Sequence, residues 1–293
     1  MITAARAPAA ALVGTRKPRR RVDGWLWVAL PGAVFLAVFF GYPLATVLLR
    51  SLTDPSPANY EVFAHSPAYL KILLQTFQIS ALVTIGCLVL GYPYAYLMAK
   101  AGGVWQSVLF AIVLLPIWTS FLVRSVAMQV WLQDTGVLNK VLMALGLTDG
   151  PVPLIRNTFG VTIGMTQILL PYLILPLYSV MRRVDPALVR AAASLGASPK
   201  RAFLRAYVPQ TLPGVYSGGL LVFVLSLGFF IVPAILGGTE GSMIAKAIVD
   251  LVGKSQFGIA STLAVTLLAA TFLILAIGSR FVRIRDVVGG GTP

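Results

Sequence analysis

Few residues of this chain could perform covalent or metal chemistry. The 293 residues include one histidine, His65, and one cysteine, Cys87. One of each cannot supply a metal cluster, an internal disulfide or a nucleophile with its base. Gly253-Lys254-Ser255 resembles the end of a phosphate-binding loop, but Ile248 stands where that loop requires its first glycine. We therefore expect no catalytic residue, no metal, no cofactor and no ATPase site of its own.

The start and stop signals of residues 182–210 predict two short helices joined by a bend. Asp185 before Pro186 is a favourable helix cap followed by a proline at the first helical position. Gly196 stands where a left-handed residue would end this helix. The pattern predicts a short helix that ends in a bend.

A second short helix is predicted directly after the bend. Ser198 and Pro199 repeat the capping signal, and the helix would contain Phe203 and continue to about Tyr207. Pro209 is expected to stop it, because proline lacks the N–H that a helix interior needs.

One face of the first loop helix is apolar, and the opposite face is basic. Small alanines on the apolar face would allow another surface to approach closely. That face could dock a protein, or it could lie on lipid headgroups as an amphipathic helix. Its residues follow the spacing i, i+3, i+4, i+7: Leu188, Ala191, Ala192 and Leu195.

The composition requires a membrane protein. Hydrophobic residues make up 58% of the chain and charged residues 11%, unlike a soluble domain. Crossing about 30 Å of hydrocarbon takes roughly 20 apolar residues. We therefore predict an all-α integral membrane protein with six spans: 25–49, 72–98, 108–132, 158–181, 211–236 and 258–282.

Charge placement predicts the orientation. With the N-terminus in the cytoplasm, the inner segments hold 16 basic residues and the outer segments hold 6. The positive-inside rule then places both termini in the cytoplasm. We expect a basic cytoplasmic tail over 1–24, a membrane domain over 25–285 with its loop at 182–210, and a short cytoplasmic tail over 286–293. The basic cluster of the first tail fits the inner lipid surface, and we do not expect nucleic acid binding.

Few polar side chains of the spans could contact a solute. Arg124 lies in the third span, where a cation costs roughly 2.5 to 3.5 kcal/mol on insertion scales, so it should face protein or water. It could contact solute, and would then favour an anion, or it could snorkel outward or pair with a carbonyl. Trp118, Gln167 and Tyr172 could line the same pathway or bridge neighbouring helices.

The spacing within residues 182–210 resembles the cytoplasmic "EAA" loop of ATP-binding-cassette (ABC) importer permeases. Ala191-Ala192, three residues, Gly196, nine residues and then Ala206-Tyr207-Val208-Pro209 follow that motif. The resemblance covers most of the chain from Gln75 onward. Other segments are similar to the same family, the first two to its spermidine/putrescine branch: Gly91-Tyr92-Pro93-Tyr94-Ala95-Tyr96, Leu115-Pro116-Ile117-Trp118-Thr119-Ser120-Phe121-Leu122-Val123-Arg124 and Leu212-Pro213-Gly214.

This resemblance implies a type I importer permease fold, with coupling helices between the fourth and fifth spans. It also implies the partners: cytoplasmic ATP-binding subunits, a second permease in a heterodimer, and an extracytoplasmic substrate-binding protein. The solute would be a polyamine or a related small solute. At Arg190 the chain departs from the family, which has a glutamate there; either the ATPase groove compensates, or Arg190 points to solvent and headgroups.

The alternative function is an ion-coupled secondary transporter. Such a protein normally needs a titratable group inside its spans, and here the spans offer Arg124, Cys87 and tyrosines but no Asp or Glu. The residues therefore favour the importer.

Overall fold

The structure, a computed structural model, describes residues 25–54 and 57–289, and side chains over 30–54 and 57–278. The expected tail at 1–24 lies outside the described residues. Within them every regular element is helical, which confirms the all-α prediction.

The described residues form fourteen α-helices, several joined by short turns of π or 3₁₀ type. They are α1 Trp25–Leu36, α2 Tyr42–Thr53, α3 Asn59–His65, α4 Pro67–Lys100, α5 Gly103–Leu114, α6 Phe121–Leu132, α7 Val137–Ala144, α8 Thr158–Met181, α9 Pro186–Ser194, α10 Pro199–Ala202, α11 Val208–Leu227, α12 Ile231–Leu236, α13 Ile244–Gly253 and α14 Phe257–Gly289.

The chain divides into two units, one up to Thr46 and one from Val47 onward. The first unit contains α1, a π turn at Ala37–Gly41 and the start of α2. Its large apolar side chains are exposed, and the rings of Phe35 and Phe39 stack 4.7 Å apart. An apolar helical surface of this kind suits lipid.

The second unit is built around three long helices, α4, α8 and α11, which pack against one another. The helix α8 is the most buried of the candidate spans. One buried cluster surrounds Ile79, Met165 and Val222, and a second surrounds Met98, Leu177 and Tyr207. A third cluster joins α3, α13 and α14. The core of the unit therefore runs along α8.

Five stretches of the described residues are long and apolar enough to cross a membrane, and a bent pair raises the number to six. This confirms the multi-span prediction. The fourth predicted span coincides with α8. The five stretches are Leu30–Thr53, Pro67–Lys100, Thr158–Met181, Pro199–Leu227 and Phe257–Gly278.

The third span is not the single helix that we predicted over 108–132. The chain runs as a helix from Gly103 to Trp118, breaks, and continues from Phe121 at an angle of 99°. Pro116 lies in the 3₁₀ turn before the break, and the Ser120 hydroxyl caps the next helix by accepting from Leu122 N at 3.3 Å. The hydrophobic run does not reveal the break because the helices on both sides of it are apolar.

The helix after the loop was also predicted wrongly. Pro209 does not stop it: α10, a π turn at Phe203–Tyr207 and α11 form one continuous helix from Pro199 to Leu227. Val208 N–H donates to Phe203 O, and Gln210 Nε2 donates to Ala206 O at 2.7 Å. The fifth span consequently ends at Leu227 rather than at 236.

Both π turns end two residues before a proline. Ala37–Gly41 precedes Pro43, and Phe203–Tyr207 precedes Pro209, each with one residue between. Proline clashes with the carbonyl four residues earlier and lacks an N–H, and a widened turn removes both conflicts. This explains why a proline at these positions allows the helix to continue.

Adjacent glycines of α11 test how closely α8 and α11 approach. A Cβ at Gly218 would lie 3.1 Å from the backbone oxygen of Leu173, whereas a Cβ at Gly219 would lie 3.7 Å from Thr84. Both Gly→Ala changes gain the same helix propensity, so Gly218→Ala should be less stable than Gly219→Ala by about 1–3 kcal/mol. Thermal unfolding of the purified permease measures this, and equal midpoints would contradict the packing.

Candidate functional site

The first loop helix, α9, starts as predicted. The Asp185 carboxylate accepts a hydrogen bond from Ala187 N at 2.8 Å, and Pro186 occupies the first helical position. A side-chain acceptor here satisfies one of the N–H groups that a helix start leaves free. Pro199 likewise opens α10, although the Ser198 side chain makes no capping bond.

The bend after α9 is a Schellman motif. Gly196 has φ +84°, which confirms the predicted left-handed position. Its N–H donates to Ala193 O at 3.0 Å, and Ala197 N–H donates to Ala192 O at 3.1 Å. These two bonds satisfy carbonyls at the helix end and fix the direction in which the chain leaves α9.

The apolar stripe of α9 is divided between the surface and the chain's own interior. Ala192 is half-buried, and Val189 packs against the buried cluster around Tyr207. Leu188, Ala191 and Leu195 are exposed, with 88% of Leu195 accessible. Arg190 is exposed too. The loop therefore presents an unpartnered apolar edge while its other side is anchored.

Phe203 and Pro209 lie in the continuous helix that follows the bend. Phe203 is half-buried in a group of aromatic rings from two helices, and Pro209 is exposed. The sequence did not reveal two members of this group on α4: Tyr96, which packs edge-on against Phe203, and Lys100, whose ammonium lies over the rings of Tyr96 and Tyr207. The sequence signal for this group is that Tyr96 and Lys100 are four residues apart, as are Phe203 and Tyr207, so each pair lies on one face of its helix.

Arg124 is buried in the second unit, with only 8% of its surface accessible. Its guanidinium carbon lies 5.1 Å from the centre of the Phe121 ring, and Tyr172 is close enough to interact electrostatically. The three guanidinium nitrogens have no hydrogen-bond partner among the described residues. The expectation that Arg124 faces protein rather than lipid agrees with this burial.

The other predicted pathway residues differ in their exposure. Tyr172 is half-buried beside the cluster around Met165, but Gln167 is exposed on α8 and Trp118 is 88% accessible at the break of the third span. Among the described residues, no three His, Cys, Asp or Glu side chains lie close enough to hold a metal ion.

The chain matches a known family over residues 89–286, the binding-protein-dependent transport system inner membrane components. The spermidine/putrescine transport system permease protein PotB of Haemophilus influenzae is 34% identical over 263 residues, which cover 87% of this chain and 90% of the relative. The molybdenum transport system permease protein ModB of Mycobacterium bovis is 30% identical over 204 residues, covering 70% and 74%.

A solved structure shares the fold. The crystal structure of a bacterial alginate ABC transporter, in complex with alginate pentasaccharide-bound periplasmic protein, contains a chain that aligns with a TM-score of 0.70 at 17% identity. The alignment covers 92% of this chain and 97% of the other. The expected permease fold is confirmed. The chain therefore belongs to the family of binding-protein-dependent transport system inner membrane components, the membrane-spanning permease subunits of ABC importers.

Proposed function

We propose that this permease imports a polyamine or a related small solute, and that it is driven by ATP-binding subunits docked on the loop at 182–210. The single observation that carries the docking is the exposed edge of α9, Leu188, Ala191 and Leu195, held beside a fixed bend. Contiguous exposed apolar side chains between two spans favour a protein partner. ATP hydrolysis then occurs on a different polypeptide.

The loop and both termini lie in the cytoplasm in this proposal. The support is the excess of basic residues in the segments on that side, including Lys100, Arg182 and Arg205. The break at Trp118 then lies toward the outer face, where an extracytoplasmic binding protein would release its solute.

A second permease completes the pathway, and we propose a related but different chain. The exposed large apolar side chains of the spans, such as Leu220 and Leu221 of α11, offer surface to such a partner as well as to lipid. Movement of the ATP-binding subunits would tilt the two permeases between inward-facing and outward-facing states.

The polyamine assignment is supported by the likeness to PotB and by the chemistry at the third-span break. The exposed indole of Trp118 stands at the carboxyl end of a helix, where partial negative charge gathers. An aromatic face and helix carbonyls both suit an ammonium group. The likeness to ModB and the buried Arg124 favour a second candidate, an oxyanion importer.

Arg190 is exposed on α9 and is next in sequence to Ala191 of the docking edge. We propose that the cognate ATP-binding subunit presents an acidic or neutral groove here. Like charges at a desolvated contact would otherwise cost several kcal/mol and prevent assembly.

Cysteine labelling checks the orientation. In a Cys87→Ala background, Gln256→Cys should react with an impermeant thiol reagent in intact cells, because the loop between α13 and α14 lies outside. Gly102→Cys should react only after permeabilisation. Both positions are exposed, so accessibility within the fold does not distinguish them. The reverse pattern of labelling would contradict the orientation.

Gly196 tests whether the bend positions the docking edge. Gly196→Val places a branched side chain at φ +84° and should destabilise the loop by about 1–2 kcal/mol. Gly196→Asn, which tolerates this conformation better, is the matched control. We expect Val to reduce co-purification of the ATP-binding subunit while membrane insertion continues. If Gly196→Val assembled fully with the ATP-binding subunit, the bend would not be what positions the docking edge.

Leu195 tests the docking edge itself and thereby the proposed function. Burying a leucine that is now 88% accessible contributes about 1.5–3 kcal/mol, so Leu195→Asn should weaken binding of the ATP-binding subunit at least about tenfold. Leu195→Met retains apolar surface and should bind normally. Co-purification in mild detergent measures the binding, and polyamine uptake measures the function that depends on it. Equal binding by all three proteins would refute docking at this edge.

A further inference from the structure

Three aromatic rings and one lysine form a compact joint between the docking loop and α4. The joint consists of Tyr96, Lys100, Phe203 and Tyr207. The ring of Tyr96 meets Phe203 edge-on at 5.4 Å and Tyr207 edge-on at 5.3 Å, with interplanar angles of 83° and 85°. Phe203 and Tyr207 are stacked 5.5 Å apart. Edge-to-face pairs have a preferred geometry, so the joint fixes orientation as well as distance.

Lys100 closes the joint from the solvent side. Its ammonium nitrogen lies 5.8 Å from the centre of the Tyr96 ring and 5.5 Å from that of Tyr207. It is the last residue of α4, where the helix dipole favours a cation. One charge thus attracts a ring from its own helix and a ring from the helix that follows the loop.

The joint is continuous with the docking loop. The helix α9 packs against the π turn that carries Phe203 and Tyr207, and Val189 contacts the buried cluster to which Tyr207 belongs. Leu195, the C-cap residue of the same helix, is exposed and available for docking. A force applied to the exposed edge therefore reaches the π turn through packed side chains, without crossing solvent.

We infer that Lys100 is a positioning residue, which holds the π turn against α4 so that movement of the loop moves the membrane helices. This inference rests on the proposed docking of an ATP-binding subunit to the loop. Without the ammonium, the two helices keep their ring contacts but lose the charge that spans them. The loop can then move with the ATPase while α4 lags behind, and hydrolysis becomes partly uncoupled from transport.

Uptake per ATP hydrolysed tests the inference in the complete importer reconstituted in proteoliposomes. Lys100→Met should reduce spermidine transported per ATP by about two- to fivefold, the effect expected of an exposed cation–π contact. The rate of ATP hydrolysis and the recovery of ATP-binding subunits should be unchanged. Lys100→Arg should restore the ratio, because a guanidinium also binds aromatic faces. An unchanged ratio in Lys100→Met would overturn the inference.

Tyr207 supplies a matched pair of controls. Its hydroxyl is buried and has no hydrogen-bond partner among the described residues, so Tyr207→Phe should transport normally. Tyr207→Leu removes the ring under the ammonium and should uncouple as Lys100→Met does. Normal coupling in Tyr207→Leu would contradict the role of the joint.

A second measurement does not depend on the partner subunits. In the permease alone in nanodiscs, Lys100→Met should increase trypsin cleavage at Lys200, Arg201 and Arg205 by about two- to fivefold, whereas Lys100→Arg should not. If wild-type permease fails to bind any ATP-binding subunit but this difference appears, the docking proposal fails and the joint stands. Equal cleavage in all variants overturns the joint.

Discussion

The hydrocarbon core of a membrane imposes the constraint on which the other features of this permease depend. A backbone N–H or C=O in lipid has no water to bond, so each span must satisfy its polar groups within its own helix. The chain contains 19 prolines, several of them inside helices, and each one removes a donor. Two are accommodated by π turns, at Ala37–Gly41 and Phe203–Tyr207. A third, Pro116, accompanies an open break in the third span.

The same constraint makes close packing the means by which the helices hold together. Lipid and leucine are equally apolar, so helices gain by approaching closely rather than by escaping water. Here α8 is enclosed by α4 and α11, and small residues such as Gly91, Gly214 and Gly218 bring the backbones together. The loop at 182–210 begins at the end of α8 and ends in the helix that continues into α11. The exposed edge of α9 therefore lies between two of the three long helices that pack together in the second unit.

The sequence predicts some parts of this arrangement well, and the physical reasons are local. The fourth span, the Asp185 cap and the left-handed Gly196 follow from hydrophobic length and from steric limits on single residues. Pro209 was predicted to end a helix because the clash with the preceding turn is also local. Its relief by a π turn, in which the helix continues, is a second outcome that the clash alone does not distinguish.

The residues of the candidate site likewise divide into those that local sequence predicts and those that only the fold brings together. Capping residues of α9 could be identified from their order, whereas Lys100 and Tyr96 lie more than a hundred residues before Phe203 and only the fold brings them together. Arg124 was recognised as a cation in a span. Its contact with the Phe121 ring is local to α6, three residues away, whereas its burial depends on packing against other helices.

The central claim is that ATP, hydrolysed by subunits docked on the loop, drives the transport of a polyamine through this permease. The most direct measurement is labelled spermidine uptake into proteoliposomes that contain this chain, a second permease and the ATP-binding subunits. The binding protein is added on the side opposite the loop. We predict that uptake requires ATP on the loop side and that putrescine, but not molybdate, competes. Uptake driven by a proton gradient without ATP, or transport of molybdate in place of spermidine, would contradict it.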